Sequence, residues 1–166
     1  MFRSTLFEML RKFTKAELKE FEIFISSPYF NPKTAVLKFW KAIKKYSPEF
    51  KSSIIDRETI YGKIFPDKEY NYGTMKNLIF DLTKLAEEFL MMEEVKKDKY
   101  QMNQYLLSQL NSRNLGRLFS IKLKDTEDLI QKYDGNFQTY YYIQSSLAKL
   151  KTNFNFFHSA KELDSD

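Results

Sequence analysis

The chain contains no cysteine, which excludes disulfides, thiolate nucleophiles and cysteine-based metal sites and suits a reducing cytoplasm. It has a single histidine, His158, so a Ser-His-Asp arrangement or a histidine metal site would rest on one residue near the end of the sequence. Glycine and proline number 4 each, too little punctuation for a many-stranded sheet. The glycines are isolated at Gly62, Gly73, Gly116 and Gly135, so no phosphate-cradling loop is present. No run approaches the roughly 18 apolar residues that a membrane helix needs, and Met1 to Glu8 holds no apolar stretch long enough for a signal peptide. A cytoplasmic protein with no membrane segment is expected.

What is abundant is aromatic: 16 Phe and 11 Tyr among 166 residues, which at helical spacing read as side chains filling the gaps between helices. The formal charge is +5, and the excess is local. Residues 1 to 50 carry 10 Lys or Arg against 5 Glu, while the remainder carries 17 of each sign.

The strongest pattern runs from Asn71 to Lys97. Met75, Leu78, Ile79, Leu82, Leu85, Ala86, Phe89 and Leu90 recur at steps of three and four, one stripe of a long helix, with Asp81, Lys84, Glu87 and Glu88 opposite. A helix of that length cannot hide its apolar face alone, so the neighbouring segments are expected to be helices that cover it.

Before it, Thr5 with Glu8 and Thr14 with Glu17 have capping-box spacing, giving two short helices with Leu6, Met9, Leu10 and Phe13, then Leu18, Phe21, Phe24 and Ile25, inward. Pro28 stops the second, because the residue before a proline is driven out of the helical region. Asn31 is the expected cap of a third helix with Pro32 in its first turn and Val36, Leu37, Trp40 and Ile43 inward. Asp56 is expected to cap a fourth, which Pro66 ends. Beyond the long helix, Asp98 caps a helix with Tyr100, Leu106, Leu107 and Leu110 inward. A further one carries Leu118, Phe119, Leu129 and Ile130 around a polar middle, and Tyr133-Asp134-Gly135-Asn136 stops it. The last follows Tyr140, Ile143, Leu147, Leu150, Phe154 and Phe157, a heptad-like seam expected to be covered by folding back, by self-association or by further chain.

The fold class is therefore all-α, about eight helices in antiparallel pairs forming a bundle or a short helical-repeat array, with a helical module over 1–97 and a repeat-like segment over 98–166. Glu17-Leu18-Lys19-Glu20-Phe21, Ser27-Pro28-Tyr29-Phe30-Asn31, Ile64-Phe65-Pro66 with Tyr70-Asn71, Leu85 to Leu90, and Tyr140-Tyr141-Tyr142 together resemble a family of longer, uncharacterised, all-helical bacterial proteins. That resemblance implies an N-terminal part of a larger protein with tetratricopeptide-like helices downstream, and no reaction. Thr14 to Phe21 is also similar to a helix start in pyrin-type death-fold domains, although the long helix after Asn71 departs from their compact pattern.

No catalytic, cofactor-binding or metal-ligating set stands out. The pairs Glu87/Glu88 and Glu93/Glu94 lack the histidine spacing of a di-metal bundle. The function expected is a non-enzymatic helical interaction or scaffold module, taking a protein partner or a second copy, with Tyr29, Phe30, Tyr140, Phe154 and Phe157 as contact residues. The alternative is nucleic-acid binding through the lysine-rich helix at 33–45, where Lys38, Lys41 and Lys45 surround Trp40 together with Lys33 and Lys44.

Overall fold

A computed structural model describes residues 5–51 and 55–163 of the chain, with side chains up to residue 156. Among the described residues the protein is all-α. Its helices are α1 (Thr5–Leu10), α2 (Lys15–Ser26), α3 (Thr34–Ile43), α4 (Arg57–Ile64), α5 (Tyr72–Lys97), α6 (Lys99–Ser112), α7 (Gly116–Gln131) and α8 (Phe137–Leu163), with one 3-10 turn at Lys44–Tyr46. The chain divides into two compact units, Met1–Glu93 and Glu94–Asp166, and the division falls inside α5.

Three helix starts are built by the caps that the sequence marks, Thr14, Asp56 and Asp98, and Asn71 adds one that it does not. Thr14 Oγ1 accepts from the Glu17 amide at 3.1 Å while Glu17 Oε2 accepts from the Thr14 amide at 2.7 Å, so both ends of the box close. Asp56 accepts from the Thr59 amide and hydroxyl at 2.8 and 2.7 Å, Asn71 from Thr74 at 2.8 Å, and Asp98 from Tyr100 and Gln101 at 3.0 and 2.9 Å. Each satisfies backbone donors that the helix itself leaves free. The Thr59 hydroxyl, then its amide, holds the Asp56 carboxyl below the ordinary 3.8.

Two starts differ from expectation. Thr5 lies within α1 (Thr5–Leu10) and not at a cap before it. Asn31 does not cap α3, whose N-cap is Lys33 with no side-chain bond. Asn31 is buried, its amide donating to the Ile25 carbonyl at 2.9 Å and its Oδ1 accepting from the Lys33 amide at 3.1 Å. It clamps the loop onto the end of α2, and a buried amide satisfied on both sides is worth more there than at an exposed cap.

Unit 1 is organised around Phe21, which is fully buried. Its ring meets Phe13 edge-on at 5.6 Å, Trp40 edge-on at 5.1 Å and Phe89 tilted at 5.4 Å, drawing the connector before α2, then α3 and α5, onto α2. The stripe of α5 is buried at Met75, Leu78, Leu82, Leu85, Ala86 and Phe89, with Ile79 half-buried and Leu90 exposed at its end.

Unit 2 is thinner. Its buried core is Leu107, Phe119, Ile130, Ile143 and Leu147, with Tyr100, Leu110, Leu123, Tyr133, Tyr140, Leu150 and Phe154 half-buried around it. The α8 seam thus packs within the unit as far as Phe154, whose ring stacks on Phe119 at 4.0 Å. Leu118, expected inward, is 51% exposed, and Thr126, on which the sequence pattern is silent, is buried. The Thr126 hydroxyl donates to the Lys122 carbonyl one turn back at 2.7 Å. With its hydroxyl satisfied inside its own helix, its methyl is free to pack, and the inward face of α7 runs Phe119, Thr126 and Ile130.

Truncating Phe21→Ala should cost about 3 to 5 kcal/mol in urea unfolding, because three aromatic neighbours lose their shared partner. Asp56 sits below its unfolded value, so its contribution is present above the ordinary Asp range and fades as pH falls through the lowered value. Asp56→Asn should therefore flatten the loss of stability below about pH 3.8 in an acid titration followed by circular dichroism. Amide exchange should be faster across α6 to α8 than in α2, α3 and the first half of α5, in line with five buried core residues against twenty-two.

Candidate functional site

Lys33, just before α3, is paired with Asp81 at 2.8 Å, and Lys38 is exposed and is not among the residues that line the groove beside Lys41. Lys41 and Lys45, with Lys44, rim a groove of about 320 Å3 whose wall also includes Leu18, Lys19 and Glu22 from α2, Trp40 from α3 and Ser47 just past the 3-10 turn. The rim forms where the last turn of α3 runs on into the 3-10 turn, which keeps Lys41, Lys44 and Lys45 close together. The edge-on contact of Phe21 with Trp40 fixes α2 against α3, and so brings Lys19 across from them.

The electrostatics are one-sided. Lys44 Nζ bonds Glu22 Oε1 at 2.6 Å, neutralising one rim charge. Lys45 lies over the Tyr46 ring at 4.9 Å, and its neighbours Lys63 on α4, then Tyr46, hold it above the usual lysine range. Two ammonium groups that close resist carrying both charges, and the Lys45 side chain holds Lys63 below the usual lysine range. Under the rim, Trp40 is 1% exposed and its Nε1 is buried without a hydrogen-bond partner. Buried indole N–H groups usually find an acceptor, and this one has none within the packing of unit 1.

The aromatic contact residues separate by environment. Tyr29 is 88% exposed, whereas Phe30 stacks on Phe24 at 4.1 Å and belongs to the packing of unit 1. Tyr140 and Phe154 pack against the core of unit 2, and Phe157, like His158, lies outside the described side chains.

Apolar surface in unit 2 gathers elsewhere. Met102, Tyr105 and Leu106 are 45%, 54% and 43% exposed and, at steps of three and four, share one face of α6, away from buried Leu107. Leu118 and Ile121 of α7 are about half exposed as well. A second depression of about 370 Å3 lies among Glu94, Lys97, Gln101, Gln104, Tyr133 and Tyr142. Tyr100, also on its wall, has its phenol raised above the usual tyrosine range, first by burial and then by neighbouring Tyr133 and Asp134.

Lys19 and Lys63 escaped the sequence reading because their relation to α3 exists only once α2 and α4 pack. The α6 face escaped because Leu106 shares a helical period with Leu107 and Leu110, and only contact decides which are covered. Among the described residues no helix is long and apolar enough to cross a membrane, and no group of three or more His, Cys, Asp or Glu side chains is placed to hold a metal ion. Comparison of the chain with protein-family models, with curated proteins and with solved structures finds no match in any of the three.

Proposed function

We propose that the protein is a non-enzymatic helical interaction module, and that unit 2 docks an amphipathic helix of a partner polypeptide on the outer face of α6. The single observation that carries the reading is the exposed triplet Met102, Tyr105 and Leu106. Large apolar side chains of this kind, grouped on one face, mark a surface that another polypeptide covers. Their spacing suits a helix laid against them, whose own apolar residues recur at three and four. Tyrosine and methionine are residue types enriched at such contacts, and methionine adapts its shape to the partner.

Placing a photo-crosslinking phenylalanine analogue at position 105 in cells tests it. A discrete crosslinked partner is expected, and it should disappear when Met102→Glu and Leu106→Glu are added while the helical content stays unchanged. Absence of any crosslink to another chain, or a crosslink indifferent to those two charges, refutes the docking face.

A further inference from the structure

We propose that the groove rimmed by Lys19, Lys41, Lys44 and Lys45 above Trp40 binds a run of linked phosphates, either a polyphosphate chain or the triphosphate tail of a nucleotide. The site is independent of the α6 face and stands or falls separately from it.

Charge is the first argument. Four ammonium groups face one carboxylate, Glu22, and that carboxylate is already held by Lys44. Like charges gathered this closely repel unless an anion lies among them, and a multiply charged anion relieves the most repulsion. Lysine suits phosphate oxygens as a mobile point charge, where arginine would favour flat, two-pronged contacts.

Shape is the second. The rim lysines converge from α2, the end of α3 and the 3-10 turn onto one depression of about 320 Å3, the lower end of the range for small-ligand sites. A nucleic-acid strand would instead follow the length of α3, where Lys33 is committed to Asp81 and Lys38 lies outside the groove. The Ser47 hydroxyl on the groove wall can donate to a phosphate oxygen.

Trp40 is the only tryptophan of the chain, so its indole N–H gives one resonance and its emission one signal, both from inside the site. Titrating the full chain with sodium tripolyphosphate at low salt should move that resonance saturably. Lys41→Gln and Lys45→Gln should each weaken binding about tenfold, the scale of one hydrogen bond to a charged group, and Lys124→Gln in unit 2 should leave it unchanged. All three lysines are exposed, and circular dichroism confirms that the variants fold. Adenosine triphosphate compared with tripolyphosphate identifies the source: equal affinity assigns a polyphosphate chain, tighter binding a nucleotide, and either supports the site. The proposal is overturned if the indole resonance stays fixed at millimolar tripolyphosphate, or if Lys41→Gln and Lys45→Gln bind as well as the parent. It is also overturned if a thymidine oligonucleotide binds more tightly and depends on Lys38 as much as on Lys45, which would assign the lysines to a nucleic-acid backbone.

Discussion

The contact of Phe21 with Trp40 is the interaction on which the rest of unit 1 depends. One edge-on pair fixes the distance between α2 and α3, and the same Phe21 ring holds Phe13 before α2 and Phe89 on α5. Aromatic rings are large enough to span the gap between helices and stiff enough to set the angle at which they meet. A core of aliphatic side chains could bury a similar area but would fix that angle less well. The groove above Trp40 is a product of this geometry, since its two sides are the solvent-facing turns of the same two helices.

The two units solve the burial problem differently. Unit 1 hides a continuous core that reaches from Leu6 on α1 to Phe89 on α5, with polar groups mostly at caps and surface pairs. Unit 2 covers only a few positions completely and keeps much aromatic and aliphatic surface in reach of solvent, including Phe137, Tyr141 and Phe156 on α8. A unit of three helices has little interior for its length, and side chains beyond the inner stripe must face outward whatever their chemistry. That excess is what leaves the outer face of α6 apolar and exposed.

Local signals in the sequence were legible because they act over a few residues. The capping box at Thr14 and Glu17, the aspartates at 56 and 98 and the stop at Pro28 each follow from one side chain meeting its own backbone. The long stripe from Met75 to Phe89 was legible for the same kind of reason, as a period that only a helix makes contiguous. Side chains at the margins of a stripe were not: Leu106 and Leu118 satisfy the period yet face water, and Thr126 breaks it yet lies inside. Their fate depends on how many neighbours a three-helix unit can supply. The lysine rim was half legible, since Lys41, Lys44 and Lys45 are close in sequence, while Lys19 joins them only through the α2–α3 contact.

Asn31 ties the connector between α2 and α3 to the carbonyl of Ile25, and Pro32 follows it directly. Asparagine ages to aspartate when the next residue's amide nitrogen attacks its side chain, and proline has no N–H to supply that nucleophile. The one buried asparagine on which this connector relies is thereby shielded from a slow chemical change that would replace its donor with a second acceptor facing a carbonyl. Asn71 and Asn136, which accept helix-start hydrogen bonds at 2.8 Å each, precede residues that keep their N–H and so lack that protection. The chain thus carries that protection at the asparagine whose side-chain donor is buried.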